Sequence, residues 1–176
     1  ALWSAIAFEG AAELMIRGDA YGINAKGHYC TDVMDFYGRA RRARGRDFSD
    51  TVKMTVLAGH YMSEQYNRHY YGKAQNLGRR LTAQYNAALA NCDLLVLPTT
   101  AMKAVKRPAD NRLPSILAGA LGNLQNTAAF DISGPPAISV PVGFSAGLPV
   151  GMQLVGRHWC EGSVLKAAHA YQVLMG

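Results

Sequence analysis

The hydrophobic pattern of the chain changes near residue 90. Up to that point apolar side chains recur at intervals of three and four residues, as they do on one face of an amphipathic helix. The spacing predicts helices over 2–17, 36–44 and 51–61, with a polar, glycine-containing turn over 19–27. The first half is therefore expected to be mostly helical.

A longer helix is predicted to follow, with Ser63 as its N-cap and its end at Ala90. Its apolar stripe recurs at spacings of four or seven residues and consists of Tyr66, Tyr70, Leu77, Leu81, Tyr85 and Leu89. We interpret this tyrosine-rich stripe as core packing rather than as a cofactor site, because such stripes usually face a protein interior.

Short apolar runs bounded by proline and glycine replace the helical pattern after Asn91. Such runs are typical of strands that are buried on both faces of a sheet, and they predict strands over 94–97, 137–142 and 151–155. The polar turn over 145–149 is short enough to predict an antiparallel hairpin between the last two strands.

Two further helices and a loop complete the second half. A polar loop is predicted over 103–114, a helix over 117–129 and a closing helix over 162–174. The predicted buried face of the closing helix consists of Val164, Leu165, Ala168, Tyr171, Gln172 and Met175.

The order of elements predicts an α/β fold in which helices come first and strands come late. We expect residues 1–176 to belong to one domain, with 1–90 mainly helical and 91–176 forming sheet strands and the closing helix. Because the chain starts at Ala1, inside an apolar run, we expect it to be part of a longer polypeptide.

Composition and charge exclude several classes of protein. A chain of 176 residues with 49% hydrophobic and 17% charged residues is not a disordered tail, a collagen-like repeat or a membrane bundle. The net charge is +6, and five arginines lie between Arg39 and Arg46. This run has no interleaved aromatic residues, so we interpret it as a solvated or partner-facing surface and do not expect nucleic-acid binding.

Cysteine usage and hydropathy predict a cytoplasmic protein. Cys30, Cys92 and Cys160 are widely spaced and odd in number, so they form no disulfide framework. The sequence has no apolar window long enough to span a membrane and no signal peptide at its start.

Residue types alone show no catalytic constellation. The histidines and cysteines do not have the spacing of a zinc site, and the glycine-rich loops of nucleotide-binding proteins are absent, so we expect neither a metal nor a cofactor. No serine lies in a nucleophile elbow or beside a base, and Cys92 is interpreted as a structural cysteine.

Several segments closely resemble the amidase signature family. The strongest similarity lies in Asp131–Gly143 and Gly147–Gly156, which keep the order and spacing of the family's C-terminal part. Residues 85–99, which end in Pro98-Thr99, and the closing segment 161–172 are also similar. Residues 3–10 resemble family members that act beside nitrile hydratases. The chain thus resembles the C-terminal portion of an amidase.

The resemblance implies the C-terminal part of an α/β/α sandwich with a mixed central sheet. It also implies an amidase that forms an acyl-enzyme and releases ammonia, using a serine, a second serine in a cis peptide and a lysine. The glycine- and serine-rich run that carries the family's serines is absent here, so no residue of this chain receives a catalytic role. We expect a small amide substrate and, for the intact protein, a homodimer.

Ile138 is the one candidate for substrate binding. In the family, the equivalent start of a strand faces the substrate cavity in several members, and an apolar wall suits an alkyl or aryl acyl group. The alternative is that Ile138 belongs to the ordinary core of the sheet.

Two other functions remain open. One is the A-type subunit of a glutamine-dependent aminoacyl-tRNA amidotransferase, which shares the C-terminal pattern and is favoured only by the arginine run. The other is a non-catalytic fragment. Such a fragment, when isolated, is expected to expose a sheet edge and helix faces and to aggregate or remain molten.

Overall fold

The chain forms two units, Ala1–Leu77 and Gly78–Gly176, in a computed structural model that describes residues 1–110 and 112–175. The first unit contains only helices. Their bounds are α1 Leu2–Ala12, a π-helical turn Glu13–Arg17, α2 Thr31–Arg44, a 3₁₀ turn Gly45–Asp47, α3 Asp50–Tyr66 and the first part of α4 His69–Leu89. The predicted helical half is confirmed, although α2 begins earlier and α3 ends later than predicted.

The prediction that Ser63 caps a helix is wrong. Ser63 is buried inside α3, which is capped instead by Ser49, whose hydroxyl accepts a hydrogen bond from the Val52 N–H at 3.4 Å. The break before α4 comes from Asn67 and Arg68, whose φ angles of 46° and 59° are left-handed. Such angles cannot continue a right-handed helix.

Only the C-terminal end of the tyrosine-rich stripe lies in the buried core. Leu89 is buried, but Tyr66 and Tyr70 are 43% and 49% exposed and pack edge to face with ring centroids 5.0 Å apart. Tyr66 belongs to α3, so the break at Asn67 separates it from the helix that carries the rest of the stripe.

The second unit contains the strands. Its elements after α4 are β1 Leu94–Pro98, α5 Leu113–Gly122, α6 Ala128–Ser133, β2 Ala137–Ser145, β3 Leu148–Gly156 and α7 Glu161–Met175. The strand order is β1-β3-β2, and both pairings are antiparallel. The hairpin between β2 and β3 is confirmed, and its turn at Ala146 and Gly147 has φ angles of 52° and 76°, as a two-residue hairpin turn requires.

Alternation along the strands determines the two faces of the sheet. Val140 and Leu154 lie on one face and form the core of this unit with Val164 and Ala168 of α7. The opposite face carries Ser139 and Gln153, which are paired across β2 and β3.

Three expectations for the second unit need correction. The predicted helix over 117–129 is two helices, α5 and α6, separated by a turn. Leu165 and Met175 of α7 are 60% and 69% exposed rather than buried. The strands are not all buried on both faces, because Val96 of β1 is 62% exposed.

The helices are too short or too polar to serve as bilayer spans. Among residues 1–110 and 112–175, no helix is both long and apolar enough to cross a membrane.

Candidate functional site

Polar side chains meet where β1 ends, and we name Thr99, Asn126, Ser139 and Gly151 the sheet-end cluster. Thr99 follows the last residue of β1, and its N–H donates to the Gly151 carbonyl of β3 at 2.9 Å. Its hydroxyl lies 2.5 Å from the hydroxyl of Ser139 on β2, and either oxygen can be the donor. The antiparallel register thus places two hydroxyls over the central strand.

Gly151 makes this approach possible. A Cβ atom at this position would lie 2.8 Å from both the Ser139 and the Thr99 hydroxyl oxygen, which is closer than real Cβ contacts allow. Any side chain at position 151 of β3 would therefore clash with the hydroxyl pair, and glycine avoids this clash.

Asn126 fixes the end of β1 from the segment before α6. Its side-chain Nδ2 donates to the Pro98 carbonyl at 2.7 Å. Because Pro98 ends the strand, this bond satisfies a backbone acceptor that has no ladder partner. The cluster thus joins β1, β2, β3 and the α5–α6 connection through hydrogen bonds.

A small cavity adjoins the cluster. It has a volume of about 140 Å³ and is lined by residues 100–103 and 149–151. The Lys103 amine donates to the Ser145 hydroxyl at 3.4 Å, so one basic group lies beside this opening. A ligand pocket for a whole drug-sized molecule is usually at least about 300 Å³, so this cavity suits a single functional group of a substrate.

The chemistry of the cluster favours binding over bond breaking. A serine or threonine hydroxyl becomes a nucleophile when a base takes its proton. In the described part of the chain, the only side-chain hydrogen-bond partner of the Thr99 hydroxyl is the Ser139 hydroxyl, and neither hydroxyl is hydrogen-bonded to a histidine, lysine or carboxylate. The cluster can donate and accept hydrogen bonds, and it lacks an activated nucleophile.

Ile138 lies next to this cluster in sequence but on the other face of the sheet. Its partner across the sheet is Leu154, and its side chain packs against the core formed with α7. Ser139 points away from that core, so the structure does not bring Ile138 and the sheet-end cluster together on one surface.

Part of the arginine run is neutralised within the chain. Arg41 forms an ion pair with Asp19 at 2.6 Å, and Arg44 forms one with Asp47 at 2.6 Å. Arg42 also contacts Asp19, at 3.7 Å, so the ion pairs within the first unit involve three of the five guanidinium groups. The surface available to an anionic partner is therefore smaller than the sequence indicated.

Glu9 is a buried carboxylate that the sequence pattern did not identify. It is 0% exposed, and its oxygens accept hydrogen bonds from the Ser63 hydroxyl at 3.4 Å and the Tyr71 N–H at 3.2 Å. Tyr71 lies in the first turn of α4, so this carboxylate of α1 satisfies a free N–H at a helix start. The one sequence feature that could have indicated this buried carboxylate is the position of Glu9, an acidic residue, inside the apolar run of α1.

An ion-pair network continues from α1 over the surface of this unit. Arg17 contacts Glu13 at 2.7 Å and Glu64 at 2.5 Å, and Arg68 also contacts Glu13. The hydrogen bond to Glu13, and then that to Glu64, raises the pKa of the Arg17 guanidinium, while its burial acts in the opposite direction. Elsewhere in the described residues, no group of three His, Cys, Asp or Glu side chains is arranged to hold a metal ion.

Known proteins resemble the chain over nearly its whole length. The family model described as Amidase matches residues 2–165. An uncharacterized protein in the nthA 5′ region of Rhodococcus erythropolis is 39% identical over 99% of this chain, which spans 88% of that protein. The enantioselective amidase of Rhodococcus rhodochrous is 40% identical over 96% of this chain.

A solved structure shares the fold. The A-type subunit of the glutamyl-tRNA(Gln) amidotransferase of Thermotoga maritima superposes with a TM-score of 0.51 at 29% identity and covers 75% of this chain. The chain spans 33% of the enantioselective amidase and 28% of the Thermotoga protein, so it corresponds to about a third of these relatives.

Proposed function

Because the chain belongs to the amidase family, we propose that it forms part of an enzyme that hydrolyses carboxylic acid amides to the acid and ammonia. The observation that carries this proposal is the family match over residues 2–165, together with 40% identity to an enantioselective amidase. The small cavity beside the sheet-end cluster supports it, since a polar amide group fits a space of that size.

The proposed reaction passes through an acyl-enzyme. A serine hydroxyl attacks the amide carbonyl, the C–N bond breaks as the nitrogen takes a proton and leaves as ammonia, and water then hydrolyses the ester. The serine, the second serine and the lysine that perform these steps lie outside this chain. Ammonia release by the intact protein from an aliphatic, an aromatic and a glutamine amide tests the proposal.

The role proposed for this chain is to bind and orient the substrate. Thr99 and Ser139 can exchange their mutual hydrogen bond for bonds to an amide oxygen or N–H. Lys103 lies beside the cavity and can reach an anionic or carbonyl group of a substrate. Orientation of this kind accelerates acyl transfer by holding the carbonyl close to the nucleophile.

We propose, from the family resemblance, that Ile138 is an apolar wall of the acyl pocket. Because Ile138 and the Thr99–Ser139 pair lie on opposite faces of the sheet, this proposal is an alternative to substrate binding at the sheet-end cluster. Ile138→Ala in the intact enzyme is expected to change the ratio of kcat/KM for bulky against small amides about tenfold, because a few methylene groups in a pocket contribute on that scale. Steady-state kinetics across a series of amides measures the ratio.

Val140→Ala is the matched control for this substitution. Val140 is 3% exposed, lies on the same face two residues further along β2, and is part of the core. It is expected to lower stability and leave the ratio unchanged. If Ile138→Ala also leaves the ratio unchanged, Ile138 belongs to the sheet core alone.

We further propose that the intact enzyme is a cytoplasmic homodimer. The three unpaired cysteines support a reducing compartment. A native mass of twice the mass of one polypeptide is the expected result for the dimer.

The second candidate is the A-type subunit of a glutamine-dependent aminoacyl-tRNA amidotransferase. It is favoured by the similarity to the Thermotoga protein. Retention of tRNA that falls steeply with added salt would support this candidate, because phosphate contacts release counterions. Salt-independent behaviour would count against it.

A further inference from the structure

The first unit contains a cavity that the arginine run helps to form. It has a volume of about 250 Å³ and is lined by Tyr37, Ala40, Arg41, Arg44, Asp47 and Phe48. The first four of these residues are three and four positions apart in α2, so they share one face of that helix. The 3₁₀ turn after α2 brings the last two residues to the same cavity.

Both arginines of the cavity keep hydrogen-bond donors that the protein does not use. Arg41 donates from Nε and Nη2 to Asp19 at 3.0 and 2.6 Å, and Arg44 donates from Nε to Asp47 at 2.7 Å. In the part of the chain that the structure describes, neither Nη1 has a hydrogen-bond partner. Since a guanidinium has five N–H donors in a planar fork, each arginine can still bind a carboxylate through Nη1.

A third donor of the cavity wall is the hydroxyl of Tyr37. This oxygen is buried and has no hydrogen-bond partner among residues 1–110 and 112–175. Buried hydroxyls are rarely left in this state, because an unmade hydrogen bond costs free energy. Tyr37 lines the cavity, so a ligand oxygen that enters it offers the acceptor that the protein lacks.

The remaining lining is apolar and favours a ligand with a ring. Tyr37 and Phe48 are half-buried aromatic residues, and Ala40 adds a methyl group. The charged lining consists of two guanidinium groups and the Asp47 carboxylate, which leaves a net positive charge. Because the cavity is smaller than the roughly 300 Å³ at which pockets for drug-sized molecules begin, it suits one ring with one acidic group.

We propose that this cavity binds a small aromatic carboxylate. The carboxylate accepts charge-assisted hydrogen bonds from the Nη1 groups of Arg41 and Arg44, and the ring packs against Tyr37 and Phe48. A planar carboxylate matches the guanidinium fork, and its aromatic body matches the apolar wall. The inference goes beyond the proposed function and does not depend on it, because binding requires no amide hydrolysis.

The test is a fluorine NMR titration of the intact protein with para-fluorobenzoate. The neutral para-fluorobenzyl alcohol keeps the ring without the charge and is expected to bind at least about tenfold more weakly. Inorganic phosphate keeps a charge without the ring, so it is expected to compete at least about tenfold less effectively than benzoate. Equal competition by phosphate would show a general anion site and overturn the proposal.

Two arginine variants separate the cavity from the charge of the whole run. Arg44→Gln removes a lining guanidinium and is expected to weaken fluorobenzoate binding at least about tenfold. Arg39→Gln is the matched control, because Arg39 lies in the same run of α2 and is not among the residues that line the cavity. It is expected to change binding less than about twofold. Equal weakening by both variants would overturn the proposal, since the run would then act only through its overall charge.

Folding is controlled separately. The Arg44 side chain is 77% exposed, so its replacement is expected to leave the circular dichroism spectrum unchanged. Tyr37→Phe removes a buried hydroxyl without a partner, so it is expected to preserve or raise the free energy of unfolding. The same variant is expected to weaken fluorobenzoate binding about fivefold, which a purely structural role of Tyr37 would not produce. Binding that is unchanged in both Arg44→Gln and Tyr37→Phe would place the ligand elsewhere in the intact protein and overturn the proposal.

Discussion

Replacing Gly59 with alanine is expected to lower the free energy of unfolding of the intact protein by about 2–3 kcal/mol, because it overpacks a close helix crossing. Gly59 is buried in α3 where α1 crosses it, and an added Cβ would overlap the carbonyl oxygen and carbon of Phe8. Since those atoms belong to the backbone of α1, the two helices must separate. The gain in helix propensity, about 1 kcal/mol, offsets only part of this loss.

Gly10→Ala is the control, because it makes the same substitution in the facing helix. A Cβ at Gly10 meets nothing within 4 Å. This variant is expected to be neutral or more stable by up to about 1 kcal/mol. Urea denaturation followed by circular dichroism compares the two. Equal stability of both variants would show that α1 and α3 do not cross at Gly59.

Glu9→Ala is the second substitution with a large expected effect, a loss of about 2–4 kcal/mol in the free energy of unfolding. It leaves the Ser63 hydroxyl and the Tyr71 N–H without their acceptor in a buried site and opens a cavity. The Tyr71 N–H at the start of α4 then loses its carboxylate acceptor, and its hydrogen should exchange with solvent faster than in the parent.

Glu9→Gln separates hydrogen bonding from charge at this site. Glutamine keeps an acceptor oxygen of nearly the same shape, so the loss is expected to be smaller, about 1 kcal/mol. Hydrogen exchange and urea denaturation are measured on both variants. If Glu9→Ala is as stable as Glu9→Gln, the buried carboxylate does not hold α4.

Local patterns were sufficient to predict most of the elements. The hairpin over β2 and β3 was predictable because Gly147 lies in a short polar turn between two apolar runs. Ser63 shows the limit of this reasoning, since its local sequence is that of an N-cap. Its actual role depends on Glu9, which is distant in sequence and close in space.

The candidate site depends on register, which a single sequence does not specify. Thr99, Ser139 and Gly151 meet only because β1 and β2 both pair with β3 in one particular alignment. Alternation predicts that Ile138 and Ser139 face opposite sides. It does not say which side α7 covers, because that depends on the path of the chain after β3.

Native mass and ammonia release, measured together on the protein as the cell makes it, test the central claim most directly. We expect a polypeptide about three times the 19.0 kDa of this chain, a native mass of about twice that polypeptide for the homodimer, and ammonia released from at least one amide of an aliphatic, aromatic and glutamine panel. Preference within the panel would identify the substrate class. A native mass of 19.0 kDa with no ammonia from any amide would contradict the claim and leave a protein whose role lies in what it binds.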